Sequence, residues 1–343
     1  MLVFVVTRKD SNNFIIQYNQ HSAMIDPHVH CRDGKQAYKE TIEHVFEIAK
    51  DQGIEKIFDM PNTDPPITHE KNVQERLKLV PDKYKQDYYL YIGVTNNISQ
   101  LEEAVKCYNN YKEIIGLKLY AGKSVGDLGV IEPDKQITIY KTLAKLNYTS
   151  VLAVHCEKDS LLQPKLWNPQ KAITHCYARP PEAEIESVRE QIEFAKQSNF
   201  KGTLHICHVS CPESVDLIET VRGEIKITCG ATPHHLMWTQ EIMNQNYGLM
   251  YKVNPPLRDM NRVAKLRQKL IDGKIDWIET DHAPHRVIEK IASPYLSGYT
   301  SLYWHNYLTN KFLPEINMPL TKKQIEDLTY NNIYKTFKEK LDA

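Results

Sequence analysis

Asp26-Pro27-His28-Val29-His30-Cys31-Arg32-Asp33 closes a short apolar run, Ala23-Met24-Ile25, and sets two histidines at alternate positions. On a β-strand, residues i and i+2 face the same way, so His28 and His30 present two imidazoles to one point. Arg32 follows on that face if the strand continues. Imidazole is the commonest protein metal ligand, and an arginine beside two of them suggests an anionic ligand. An isolated H-x-H more often just lines a polar strand face. Here the weight comes from similar groups at the ends of other predicted strands.

From residue 23 onward, short β-rich runs alternate with charged amphipathic stretches. The runs are 23–30, 54–60, 88–95, 115–120, 151–156, 203–209, 225–229 and 277–281, and helical patterns cover 36–51, 100–112, 181–197 and 261–272. Strands alternating with helices imply a parallel sheet, and eight such units predict a closed (β/α)8 TIM-type barrel. An open doubly wound sheet is the runner-up, but no Gly-rich phosphate turn follows the first strand. Residues 2–6 and 14–18 read as a vestigial N-terminal hairpin around Asp10-Ser11-Asn12-Asn13. The tail from Thr321 reads as one or two helices packing outside. Residues 1–343 are expected to form one domain, with long loops at 230–257 and 284–301.

Lys+Arg 43 against Asp+Glu 43 leaves no net charge, which argues against a nucleic-acid partner or an anionic membrane surface. Recognition of an acid must then be local, by a few placed cations. Seven cysteines read as reduced thiols, because Cys207 and Cys211 lack the second half of a structural zinc motif. The apolar run at 2–6 is too short for a signal sequence, and no later run approaches a membrane span. The expected compartment is the cytoplasm.

In a parallel barrel every C-terminal strand end opens on one face. That rule gathers His28 and His30 (strand one), Asn62 (after strand two), Lys118 (four), His155 (five), His208 (six) and Asp281 (eight). Gly116 and Ala153 share faces with Lys118 and His155, as a tight interior requires. Glu279 shares parity with Asp281 and predicts a bend or an extra buried charge pair. His205, three residues before His208, is expected on the opposite strand face as a satisfied barrel-wall histidine.

Four histidines and an aspartate form a coherent ligand set for zinc-like ions, and they are too many for one tetrahedral site, so two metals are expected. Lys118 either carries carbon dioxide as a metal-bridging carbamate, or is an ordinary lysine paired with Asp281 or Glu157. A hydroxide shared by two metals is a nucleophile at neutral pH. Asp281 is placed to act as its general base and then as the acid for a leaving nitrogen. Arg32 and Asn62 suit a substrate carboxylate. The combination fits hydrolysis of an amide, cyclic or not, in a small acid.

These residues sit in motifs that resemble the dihydroorotases, cyclic amidohydrolases of pyrimidine synthesis. The carriers are residues 28–33, Met-Pro-Asn-Thr (60–63), Gly-Leu-Lys-Leu-Tyr (116–120), His-Cys-Glu (155–157) and Ala-Arg-Pro-Pro-Glu (178–182). To these add His-Ile-Cys-His-Val-Ser (205–210), Thr-Pro-His-His-Leu (232–236), Lys-Val-Asn-Pro-Pro-Leu-Arg (252–258) and Thr-Asp-His-Ala-Pro-His (280–285). The resemblance implies a binuclear zinc barrel interconverting dihydroorotate and N-carbamoyl-L-aspartate. It matches His28, His30 and Asp281 to one metal, His155 and His208 to the other, and Lys118 to the bridging carboxylated lysine. Arg32, Asn62, Asn254 and His285 match substrate-gripping positions, and 122–129 matches a closing loop. It further implies a homodimer or a complex with another pyrimidine-pathway enzyme. Cys31 stands where a leucine is usual.

Two other readings compete. One is a sister amidase for hydantoins, dihydropyrimidines or allantoin; Arg32 with Asn62 favours a carboxylate-bearing substrate over these. The other is a catalytically inactive homologue kept as an assembly partner, which the filled ligand positions disfavour. His234 and His235 are expected to hydrogen-bond rather than ligate, and His282 to stabilise its loop. His21, His44, His69, His175 and His305 are expected at the surface or in packing. Arg179-Pro180-Pro181 is expected to cap the following helix.

Overall fold

The structure, a computed structural model, describes residues 24–123 and 128–343. The hairpin expected at 2–6 and 14–18 lies outside the described residues, as does part of the 122–129 segment. The eight strands are β1 Met24–Val29, β2 Ile54–Asp59, β3 Tyr88–Gly93, β4 Ile114–Ala121, β5 Val151–Cys156, β6 Thr203–Ile206, β7 Ile227–Ala231 and β8 Trp277–Ile278. They pair in sequence order and all in parallel. The seam is joined just past β8: Asp281 N–H donates to His28 O (2.9 Å) and His30 N–H to His282 O (2.8 Å). This is the (β/α)8 barrel that the alternation predicts.

Caps explain where helix boundaries depart from the periodicity. The predicted 36–51 helix starts only at Ile42, because Thr41 Oγ1 accepts from His44 N–H (3.2 Å) and residues 34–36 form a separate short turn. The predicted 100–112 helix begins earlier, at Ile98, where Asn97 Oδ1 caps Gln100 N–H (3.2 Å). β8 stops at Ile278 rather than 281, and Asp281, three residues on, takes a left-handed backbone (φ 49°).

Ile25, Phe58, Tyr89, Tyr91, Ile115, Val151 and Trp277 fill the barrel interior. Gly116 is small because a Cβ there would meet Val151 O at 2.9 Å and the Tyr91 ring at 3.1 Å. The C-terminal tail is helical, but it does not simply pack outside. Ile333 and Phe337, on the helix Asn332–Leu341, enter the interior cluster and close its floor. The Phe337 ring lies 5.0 Å from Phe58, 6.0 Å from Trp277 and 6.4 Å from Tyr91. Asn332 Nδ2 donates to Asp276 O (2.8 Å) and Lys340 Nζ to Tyr111 O (2.9 Å), anchoring the tail at the strands' N-terminal ends. The apolar stripe of that helix has no other core to join. Among the described residues no helix is long and apolar enough to cross a membrane.

Phe337→Ala removes this plug and should destabilise the fold by about 3–5 kcal/mol. Replacing Met260, which is 69% exposed, should change stability by less than about 0.5 kcal/mol. Denaturant unfolding of the two variants checks the difference.

Candidate metal and active site

The reactive groups stand where strands end and the backbone turns. Arg32 (φ 55°), His208 (φ 39°) and Asp281 (φ 49°) all adopt left-handed conformations that cost energy for residues with a Cβ. Buried partners hold each turn. Arg76 reaches back to Arg32 O while forming an ion pair with Asp59, whose carboxylate also accepts from Tyr88 OH (2.6 Å) and Cys31 N–H (2.9 Å). Asp26 accepts from Thr280 N–H (3.1 Å) and His28 N–H (3.2 Å). Glu279 accepts from His208 N–H, from His205 Nε2 (3.0 Å) and from Trp277 Nε1 (3.0 Å).

Four imidazoles form one contiguous group. Ring centres are 5.4 Å apart for His28 and His30, 5.2 Å for His28 and His208, and 4.9 Å for His155 and His208. Asp281 Oδ1 lies 2.8 Å from His30 Nε2 and 3.3 Å from His28 Nε2, and the three ligating atoms fall within 4.8 Å of one another.

The hydrogen bonds around these rings test whether they suit a metal. His30 Nδ1 lies 2.7 Å from Asn62 Oδ1 and its Nε2 2.8 Å from Asp281 Oδ1; in the tautomer that donates to Asn62, the Nε2 lone pair and the carboxylate both face the point where a metal ion would sit. His155 Nε2 donates to Glu157 Oε2 (3.1 Å), which leaves its Nδ1 lone pair facing His208 Nε2 at 3.2 Å. His208 Nδ1 is buried with no partner. Outer carboxylate and amide partners that free the inner nitrogens are what metal-binding histidines require.

Charge states agree for His30, His208 and Asp281. Burial lowers His30 to about 4 against the pull of Asp281, and burial holds His208 well below its ordinary value. Burial raises the Asp281 carboxyl, but His30, His28 and His208 outweigh it and keep the group ionised. His28 differs: burial is outweighed by its hydrogen bonds to Cys207 and Glu279, and the ring is raised to about 10. Imidazoles grouped round an ionised carboxylate fit divalent zinc-like ions, one of which would take the place of the His28 proton.

Lys118 is fully buried and pairs with neither Asp281 nor Glu157. Its Nζ donates to Cys207 Sγ (2.9 Å) and lies 5.1 Å from the Tyr120 ring centre. Cys207 was not among the expected site residues. It shares a face with His205, so the same reading that set His205 opposite His208 also hid Cys207.

The rings open into a cavity of about 350 Å³ that is lined also by Arg32, Asn62, Tyr120, Arg179, Lys252, Asn254 and His285. Every carboxylate-gripping residue expected from the sequence therefore reaches it. Arg32 Nε donates to Pro284 O (3.2 Å), which aims the guanidinium inward. Asn254 Oδ1 accepts from His175 Nε2 (3.0 Å).

Several sequence-based expectations change here. His205 does not lie on the wall opposite His208. β6 ends at Ile206 and the turn at His208 swings its ring inward, so both histidines reach the interior, with His205 stacked 4.4 Å from Trp277. Arg179 does more than precede a helix: it pairs with Glu157, the partner of His155, and faces the cavity. His175 is buried as the orienting partner of Asn254. Glu279 is the extra buried charge its parity foretold. His234 and His235 bond to Ser301 Oγ (2.6 Å) and Pro255 O (2.9 Å), and His282 accepts from Leu302 N–H (3.4 Å) in its own loop, as expected.

No family model matches the chain. Among solved structures, the L-hydantoinase (dihydropyrimidinase) of Arthrobacter aurescens superposes with a TM-score of 0.79 at 24% identity, over 92% of this chain and 71% of that one. The dihydropyrimidinase of Brevibacillus agri does so with a TM-score of 0.76 at 20% identity, over 92% and 70%. At such identities the likeness concerns the fold alone. The dihydroorotase of Methanosphaera stadtmanae is 31% identical over 321 residues, 90% of this chain and 69% of its own length. That of Methanosarcina mazei is 31% identical over 283 residues, 78% and 59%. The chain belongs to the dihydroorotase family of metal-dependent cyclic amidohydrolases. It spans 59–69% of the length of these two curated relatives.

Glu279 depends on the missing side chain at Gly230, where a Cβ would meet its carboxylate at 2.5 Å. Gly230→Ala should displace Glu279 and cost about 1–3 kcal/mol of stability. Gly223, with nothing within 4 Å, should tolerate alanine. Denaturant unfolding compares them.

Proposed function

We propose that this chain catalyses the reversible hydrolysis of dihydroorotate to N-carbamoyl-L-aspartate. The observation that carries the reading is convergence: metal-type donors from β1, β5, β6 and β8 share one cavity with Arg32 and Asn62. His28, His30 and Asp281 would hold one divalent ion and His155 and His208 a second, zinc in this reading, with Lys118 serving both as a carbamate. Such ions supply Lewis acidity and a nucleophile at neutral pH.

The chain's own residues do the rest. Arg32, Asn62, Asn254 and His285 bind and orient the substrate carboxylate, setting the ring's amide carbonyl against the ligand cluster. Asp281, ionised and beside both β1 histidines, takes the proton of the attacking water. Oxygen bonds to the carbonyl carbon, the ring C–N bond breaks, and Asp281 returns the proton to the leaving nitrogen. The product carries a new carboxylate and an open ureido group. Arg32 separates this reading from a hydantoin or dihydropyrimidine amidase, whose substrates do not all carry the carboxylate that a guanidinium would grip.

Side-by-side turnover of dihydroorotate and dihydrouracil by purified protein, with metal quantification, tests the assignment; preference for dihydrouracil refutes it. Arg32→Met should raise KM for dihydroorotate at least about tenfold, and an unchanged kcat/KM removes its role. Lys118→Ala should lose most activity and bound metal, with short carboxylic acids restoring part. Full activity in that variant would contradict the carbamate.

A further inference from the structure

Lys39 lies on the loop after β1 and lines the same cavity with its side chain 6% exposed. Its Nζ sits 3.1 Å from Glu289 Oε1 and 3.2 Å from His285 Nδ1. An ammonium only donates, so Nδ1 must accept and a neutral ring must carry its hydrogen on Nε2. The other side of the ring agrees: Nε2 lies 3.0 Å from Ser297 O, which only accepts. Burial, then the charges of Arg32 and Lys39, lower His285 to about 2, so the ring is neutral.

A third contact gives this tautomer a consequence. Arg32 NH2 lies 3.3 Å from the same Nε2. Two donors cannot bond to each other, so His285 offers Arg32 no acceptor and the guanidinium keeps its NH2 hydrogens for an anion. In the opposite tautomer Nε2 would accept from Arg32, while Lys39 and Ser297 O would both lose their bond to the ring, Lys39 keeping only Glu289. Glu289 holds Lys39 in place, itself accepting from Tyr38 OH (3.0 Å) and Arg286 N–H (2.9 Å).

We propose that Lys39 is a positioning residue that fixes His285 in the Nε2–H tautomer and so keeps Arg32 available to the substrate carboxylate. The substrate half rests on the carboxylate-binding role given above to Arg32 and His285; the tautomer half does not. The test is 15N NMR of histidine-labelled protein, with the His285 signals assigned by their loss in His285→Asn. It is paired with steady-state kinetics on dihydroorotate for the wild type, Lys39→Met and Lys39→Arg.

Nε2–H in the wild type, a shift toward Nδ1–H in Lys39→Met, and reversion in Lys39→Arg are expected. KM should rise about tenfold in Lys39→Met with kcat changed less than about twofold, and Lys39→Arg should recover most of the loss. Nδ1–H in the wild type, or the same tautomer in Lys39→Met, overturns the proposal. An inverted tautomer with unchanged KM overturns its substrate half. A wild type inert toward dihydroorotate refutes the reaction assigned above, and the NMR comparison still decides what Lys39 does.

Discussion

Strands that all run one way around a closed barrel must all end on the same side. Everything chemical in this molecule depends on that constraint. His28 and Asp281 are far apart in the chain, yet β8 returns beside β1 and their backbones hydrogen-bond at the seam. The same closure brings His155 and His208, from neighbouring strands, into ring contact. Side chains that would each be unremarkable on a polar loop become a buried set of facing lone pairs.

Concentrating them there has a structural cost. The turns at Arg32, His208 and Asp281 are left-handed, and the site's carboxylates are buried. Each cost is offset by a buried polar group that has several partners: Asp59 with Arg76 and Tyr88, Asp26 with Thr280, and Glu279 with His205 and Trp277. Glu184 does the same beyond β6, accepting from Ser210, Cys211 and Ser214. A buried polar group with satisfied partners is rigid, and rigidity keeps ring nitrogens aimed at one point. The opposite end of the barrel is closed by apolar packing of Phe337 and Ile333, with the tail tied down by Asn332 and Lys340.

The cavity also divides by charge. Its floor carries the four imidazoles and Asp281, suited to cations. Its rim carries Arg32, Lys39, Arg179 and Lys252, suited to an anion. Burial, then Arg179, lowers Lys252 to about 8, and its ammonium spans to Tyr295 O (2.7 Å) and Ser297 Oγ (2.7 Å), tying the loop after β8 to the mouth. The substrate proposed above would lie with its carboxylate at the rim and its reacting carbonyl over the floor.

The alternation of apolar runs with amphipathic stretches determined the barrel, because period and order suffice to choose parallel strands with crossover helices. Histidines at the ends of runs determined the metal-type site, since parallel strand ends share a face. Strand parity even foretold the buried Glu279. Other features were beyond local pattern. His205 and His208 both turn inward only because the backbone changes hand between them. Arg179 reaches Glu157 and Lys39 reaches His285 by contacts between loops distant in sequence, which no periodicity encodes. The partner of Lys118, and the tail's place in the barrel floor, were likewise decided only when β-strands and the last helix closed around a common interior, where each buried group takes whichever neighbour the packing leaves within reach.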